Sequence, residues 1–208
     1  KDGAKVIKLK TSQWRIAQPK GTAIEGRLPR PILLAQLVHR NKMFDKTSKT
    51  GYYILDPSEN QPRFKKVFSG PGESQYCRFV TPLFGGWGIA SGEIDPEKES
   101  SGRSLFWFHL LSGRIGAKIA NNTHSEWLYK TELRFFDPGG VLSKYDLKTG
   151  MLTRYGQALG SALHMDANTL LTYIELAKKR CVAQVNVSAN EAVLVAPLPS
   201  SLGFVSFF

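Results

Sequence analysis

The sequence predicts a mainly β protein, an antiparallel barrel or sandwich of hairpins with at most one or two short helices. Three observations carry that prediction. The tract from Leu133 to Thr153, LRFFDPGGVLSKYDLKTGMLT, places apolar positions on both sides of two turn clusters, Asp137-Pro138-Gly139-Gly140 and Lys148-Thr149-Gly150. Proline presets φ and glycine tolerates positive φ, so the chain reverses at both places and the tract reads as a β-meander. Cys181 to Ser188 alternates cleanly, with Cys181, Ala183, Val185 and Val187 on one face and Val182, Gln184, Asn186 and Ser188 on the other. Ser104 to Leu111, SLFWFHLL, is the most apolar strand candidate and stops at Ser112-Gly113.

The other elements follow in chain order. Lys5 to Lys10, KVIKLK, reads as a short edge strand or an extended arm, and Gln18 to Arg30 as loop. Arg27-Leu28-Pro29-Arg30-Pro31-Ile32 sets two prolines two apart, which dictates an extended path and forbids a regular ladder there. Beyond it, Leu33, Leu34, Leu37, Val38 and Phe44 fit a short helix from Ile32 to about His39, and the same residues fit an apolar strand. Tyr52 to Leu55 and Arg63 to Phe68 are strands around a turn at Asp56 to Asn60, closed by Ser69-Gly70-Pro71-Gly72. Tyr76 to Val80 is a strand, Phe84 to Gly88 a glycine-rich bend and Glu93 to Arg103 a polar loop. Asn168 to Arg180 has helix formers and a Glu175 to Lys179 pair, yet Thr172, Tyr173 and Ile174 favour a strand over Leu170 to Leu176. Ala192 to Ala196 and Phe204 to Phe208 are the last strands. Hairpins recur at intervals too irregular for a propeller.

At 208 residues and 42% hydrophobic content, the chain has enough material for one sizeable core. Residues 1–30 read as a basic arm or hinge and residues 31–208 as one β-rich domain. No apolar run approaches membrane-spanning length, so no membrane span is expected. The net charge of +11 is lopsided: residues 1–66 hold 15 Lys/Arg against 5 Asp/Glu, and residues 67–208 hold 13 against 12. Such a segment attracts polyanions by counterion release, whether nucleic acid, sulfated glycan or acidic membrane. An unpartnered solvated surface is the plain alternative.

Catalytic and metal signatures are sparse. His39, His109, His124 and His164 have no metal-ligand spacing, and no G-x-S-x-G elbow occurs. Gly85-Gly86-Trp87-Gly88 lacks the context of a phosphate loop; Asp95, Glu97 and Glu99 lack the spacing of a calcium loop. Cys77 and Cys181 form neither a disulfide framework nor a metal motif. No catalytic residue, metal or cofactor is expected. Trp107 reads as core, while Trp87, beside three glycines, is the candidate for an exposed, sugar-stacking aromatic. The sequons at Asn121 and Asn186 read as incidental.

Four segments resemble, in order, the protruding domain of calicivirus-type capsid proteins. Arg27 to Ile32 is similar to that family's Arg-apolar-Pro-x-Pro-Ile segment, Leu105 to Phe108 to its Leu-Leu-Phe-Phe strand, and Glu126-Trp127 to its Glu-Trp pair. Leu133 to Thr153 then matches its LRF strand, Asn/Asp-Pro turn, Val-Leu strand and Lys-Gly hairpin. Together they cover about a fifth of the chain. The family's large distal subdomain would be reduced to Leu33 to Ser104, and Leu176 to Phe208 runs beyond the family pattern, so no glycan-binding residue carries over.

The resemblance implies a non-enzymatic capsid protruding or spike domain on the virion surface, which pairs with other capsid subunits as a homodimer and contacts a host glycan or receptor. Lys42, Lys46, Lys49, Arg63, Lys65 and Lys66, which flank loops, are the candidate acidic-glycan contacts, with Trp87 beside them. The competing expectation is a nucleic-acid-binding β protein using the same basic third, with Tyr52, Tyr53, Phe64 and Phe68 as stacking groups. A third is a secreted propeller-like carbohydrate-active protein.

Overall fold

The computed structural model describes residues 5–22, 33–37, 51–55, 60–61, 65–69, 78–81, 83–92, 103–110, 112–164, 166, 168–176 and 179–198. All regular structure among them is strand: β1 (Val6–Lys8), β2 (Thr11–Arg15), β3 (Leu33–Leu37), β4 (Gly51–Leu55), β5 (Lys65–Ser69), β6 (Arg78–Phe79), β7 (Trp87–Gly92), β8 (Ser104–His109), β9 (Ile115–Ala120), β10 (His124–Tyr129), β11 (Glu132–Phe136), β12 (Val141–Asp146), β13 (Met151–His164), β14 (Thr169–Leu176), β15 (Lys179–Asn186) and β16 (Glu191–Pro197). Every named pair is antiparallel, as expected for the predicted mainly β fold. Among the described residues no helix is long and apolar enough to cross a membrane.

The chain divides into two compact units. One holds residues 1–15, 124–146 and 151–208; the other holds 16–123 and 147–150. Lys5 to Lys10, read as a short edge strand or an extended arm, contains β1, which pairs with β16 in the first unit's sheet, and β2 follows on the same sheet. That sheet runs β1-β16-β15-β14-β13-β12-β11-β10, with β2 also on β13. β13 reaches this many neighbours because it is 14 residues long and breaks register within itself. Its first half, Met151 to Tyr155, pairs with β2, while Ala158 to His164 pairs with β14.

The turns of this unit are those the residues dictate. Asp137 Oδ1 accepts from the amides of Gly139 at 3.0 Å and Val141 at 2.9 Å, closing the Asp-Pro-Gly-Gly reversal between β11 and β12. Leu170 and Ile174 of β14 and Ala183, Val185 and Val187 of the next strand and turn are fully buried, with Leu9, Phe136, Leu142, Tyr155 and Ala192. The alternation of Cys181 to Ser188 thus buries the face it predicts, and the strand reading of Leu170 to Leu176 holds over the helical one.

In the second unit β3, β4 and β5 form a three-stranded sheet, and β6-β7-β8-β9 a four-stranded one. Leu33 to Leu37 is therefore strand, paired residue for residue from Leu33↔Leu55 to Leu37↔Gly51, where the helical spacing competed. Ladder pairing to β4 supplies what an isolated apolar pentad cannot specify. β7 is buried at every position, as is β8 from Ser104 to Phe108. Phe106, Trp107 and Phe108 have no exposure, and Phe108 packs its ring 5.6 Å from Phe79. The expected strand at Phe204 to Phe208 and polar loop at Glu93 to Arg103 fall almost wholly outside the described residues.

Candidate functional site

Most of the sequence-predicted basic contact residues lie outside the described residues. Lys42, Lys46, Lys49 and Arg63 lie outside the described residues. Lys65 and Lys66 occupy successive positions on β5, opposite Ile54 and Tyr53, and successive positions of a pleated strand belong to opposite faces. Of the proposed stacking residues, Tyr52 and Tyr53 lie on β4 and Phe68 on β5, opposite Tyr52, while Phe64 lies outside the described residues.

Trp87 is a correction. It is the candidate for an exposed, sugar-stacking aromatic, and only 7% of it is exposed. Its indole lies 5.0 Å from the His109 ring, with the Arg114 guanidinium 5.7 Å above it. The neighbouring glycines explain the burial. Gly86 sits at φ +84°, and a Cβ there would meet His109 Nε2 at 2.6 Å; a Cβ on Gly88 would meet Phe79 at 2.7 Å. These glycines are spaces into which aromatic groups pack, so they bury the tryptophan between them. His109 Nδ1 meets Ser112 Oγ at 2.8 Å and accepts from the Ser112 amide at 3.2 Å, which fastens the β8–β9 turn.

The first unit contains a charged cluster that sequence reasoning missed. Arg134 and Lys144 are direct cross-strand partners on β11 and β12, where like charges repel. Glu132 resolves the conflict. Its Oε2 accepts from Arg134 Nη2 at 2.6 Å and Nε at 3.1 Å, and its Oε1 from Lys144 Nζ at 3.0 Å. Arg134 Nη2 also reaches Asn168 Oδ1 at 3.0 Å and Ser188 Oγ at 3.2 Å, and the guanidinium lies 4.3 Å from the Tyr129 ring. Burial pushes the Glu132 carboxyl up, but the hydrogen bonds and charges of Arg134 and Lys144 outweigh it and hold the group below its ordinary value. The Arg134 side chain is fully buried and Glu132's is 20% exposed, so the cluster ties strands together and offers little to a soluble partner. The signal that could have found it is the charged pattern Glu132-Leu133-Arg134 inside an apolar tract.

Tyr155 and Asp166 complete the polar framework. The Tyr155 hydroxyl lies 2.9 Å from both the Val187 carbonyl and Asn190 Oδ1, and burial, helped by the Glu132 charge and opposed by Arg134, pushes its phenol well up. Asp166 Oδ1 accepts from the amides of Asn168 at 2.6 Å and Thr169 at 2.8 Å, led by the first of which its carboxyl is held below the usual range. Among the described residues no group of three His, Cys, Asp or Glu is placed to hold a metal ion.

Among the described residues the basic N-terminal edge is accessible. Residues 5–15 contain Lys5, Lys8, Lys10 and Arg15 and no acidic residue. Lys8 is paired with Glu191 at 2.8 Å, yet its side chain stays 73% exposed. Every residue of β2 is exposed, including Trp14 at 45%. This edge is the candidate functional surface. Sequence reasoning registered its charge but not Trp14, whose place between Gln13 and Arg15 gave no apolar pattern.

No protein-family model matches the chain, and no curated protein matches it. Among solved structures the chain is similar to TolB from Acinetobacter baumannii at 10% identity and a TM-score of 0.41, the match covering 79% of this chain and 40% of that one.

Proposed function

We propose that this chain is a non-catalytic attachment domain, the protruding or spike domain of a viral capsid protein, carried on the virion surface. Its work is association with other capsid subunits, as a homodimer, and contact with an acidic host glycan. The supporting observation is the fold of Leu133 to Thr153. β11, the Asp137 turn, β12, the Lys148-Thr149-Gly150 reversal and the start of β13 follow one another as an antiparallel meander, in the order that the resemblance implies. The excess of Lys and Arg in the first 66 residues supplies the charge for a sulfated or carboxylated partner.

Two measurements test this reading. Light scattering should show a dimer, and a sulfated-glycan column should retain the chain until salt screens it. Lys65→Glu with Lys66→Glu should elute earlier at every salt concentration; unchanged elution discards the glycan contact. A steep salt-dependent gel shift with single-stranded RNA, without glycan retention, would transfer the basic segment to nucleic-acid binding.

A second reading is favoured by sheet order. β3-β4-β5 and β6-β7-β8-β9 are consecutive up-and-down sheets, and the N-terminal β1 pairs with the C-terminal β16, through Val6↔Val193 to Lys8↔Glu191. Small sequential up-and-down sheets of three and four strands suit a propeller-type binding scaffold, the carbohydrate-active alternative. Deleting residues 1–10 should then strongly destabilise the sheet that contains β16; an unchanged unfolding midpoint rejects this reading.

A further inference from the structure

We propose that the edge of β2 opposite β13, which pairs with no other strand among the described residues, is a docking site for an extended acidic segment of a partner protein, which would add to the sheet as a further strand. The register defines which groups are available. Ile16 N donates to Gly150 O at 2.8 Å and Gly156 N to Lys10 O at 3.1 Å, with the intervening pairs running from Arg15↔Met151 to Thr11↔Tyr155. In an antiparallel ladder alternate residues bond inward, so residues 10, 12, 14 and 16 face β13. Thr11, Gln13 and Arg15 therefore turn their amides and carbonyls away from it. Among the described residues no second strand pairs with β2.

Proteins usually protect such an edge with proline, a bulge, lysines on the strand or extreme shortness. Here five consecutive pairs run without a register shift, and the strand itself contains neither proline nor lysine. It instead exposes 45% of a tryptophan. An edge with outward amides and an apolar anchor has the requirements of strand addition, in which backbone bonds supply affinity and alternate side chains supply specificity.

Charge selects the occupant. Residues 5–15 bring four cations and no acid, so a second copy of β2 laid against the first would juxtapose like charges, whereas an acidic strand is attracted. Alternation refines the partner. Thr11, Gln13 and Arg15 share one face, and Ser12 and Trp14 share the other. The matching segment carries Asp or Glu on the Arg15 face and an apolar residue over Trp14. This inference is independent of the capsid reading, since a capsid domain could lack the site and another β scaffold could have it.

The experiment uses the full chain and a fluorescent peptide of alternating Glu and Val, followed by anisotropy. The unmodified peptide should bind, and a peptide of the same sequence with N-methylated alternate amides should bind roughly tenfold or more weakly, since it keeps the charge and loses the backbone bonds. Gln13→Pro removes an outward N–H together with the Gln13 Nε2 bond to Thr153 Oγ1 at 3.2 Å, so it is compared with Gln13→Ala, which loses that side-chain bond alone; the proline variant should bind roughly tenfold more weakly than the alanine variant. Trp14→Ala should weaken it as well. Equal binding of the N-methylated peptide would show that charge alone acts and would overturn the proposal. So would failure of the unmodified peptide to bind, or a dimer that Gln13→Pro abolishes. If Gln13→Pro fails to fold, the pair of peptides against the unaltered chain still decides.

Discussion

Glu132→Ala removes the acceptor on which two cations converge. Arg134 is fully buried, and without Glu132 it keeps Asn168, Ser188 and the Tyr129 ring but loses the Glu132 carboxylate that pairs with it at 2.6 Å. Breaking one side of a buried ion pair costs about 3–5 kcal/mol, and the surviving neutral acceptors place this loss near the lower end, about 3 kcal/mol. Urea unfolding at neutral pH, followed by near-ultraviolet circular dichroism, measures it. Glu132→Ala combined with Arg134→Met should cost less than the two single losses added, because the uncompensated cation leaves together with its partner. Acid supplies an independent check. The carboxyl is held below its ordinary value of 4.5, so it favours the folded state above that value and stops doing so as pH falls through its lower folded value. The gap between the wild-type protein and Glu132→Ala should therefore close on acidification. A loss below about 1 kcal/mol at neutral pH, the worth of an exposed pair, or strict additivity of the double variant would refute the reasoning.

Two further substitutions separate backbone geometry from hydrogen bonding. Gly150 sits at φ +70°, and a Cβ there would come within 2.6 Å of the Ile16 carbonyl oxygen, so Gly150→Ala should cost about 2 kcal/mol in denaturant unfolding, whereas Gly156→Ala, with nothing within 4 Å, should stay within about 0.5 kcal/mol. Tyr155→Phe leaves the Val187 carbonyl without the hydroxyl and should cost about 1–2 kcal/mol. Spectrophotometric titration of the folded chain should show one phenol still protonated above its ordinary value of 10, a signal that Tyr155→Phe removes.

The fold was legible where a local pattern and a local turn agree. Leu133 to Thr153 combines apolar strands with an Asp-Pro-Gly-Gly reversal whose first side chain caps the turn, so no distant contact is needed to specify it. Cys181 to Ser188 was legible for the same reason: one face packs on the core and the period of two survives in the residues. Leu33 to Leu37 was not, because its Leu-Leu-Ala-Gln-Leu sequence satisfies both periods and the decision belongs to the ladder with Gly51 to Leu55. The 14-residue β13 was equally hidden. Two partners on successive stretches of one strand, with a register break between them, are a tertiary arrangement that the intervening Gly156 only hints at.

The candidate surface was harder to read because composition reports charge without geometry. Trp87 and Trp14 show how far this goes. Trp87 lies among glycines, which read as open loop, yet those glycines admit His109, Phe79 and Leu83 and bury it. Trp14 lies among Ser12, Gln13 and Arg15, and is left 45% exposed on a strand whose outer edge faces no described strand. What separates them is local enclosure. Trp87 pairs with His109 of β8 and bridges Phe84, while every position of β7 is buried; among the described residues β2 pairs with β13 alone, and every position of it is exposed. Exposure of an aromatic residue here follows from sheet order, and sheet order is settled by pairings between residues as distant as Trp14 and Leu152. Set against Gln13→Ala, which likewise loses the Gln13 Nε2 bond to Thr153 Oγ1, a Gln13→Pro substitution acts on that property, since the two differ at the outward N–H and leave the charge as it is.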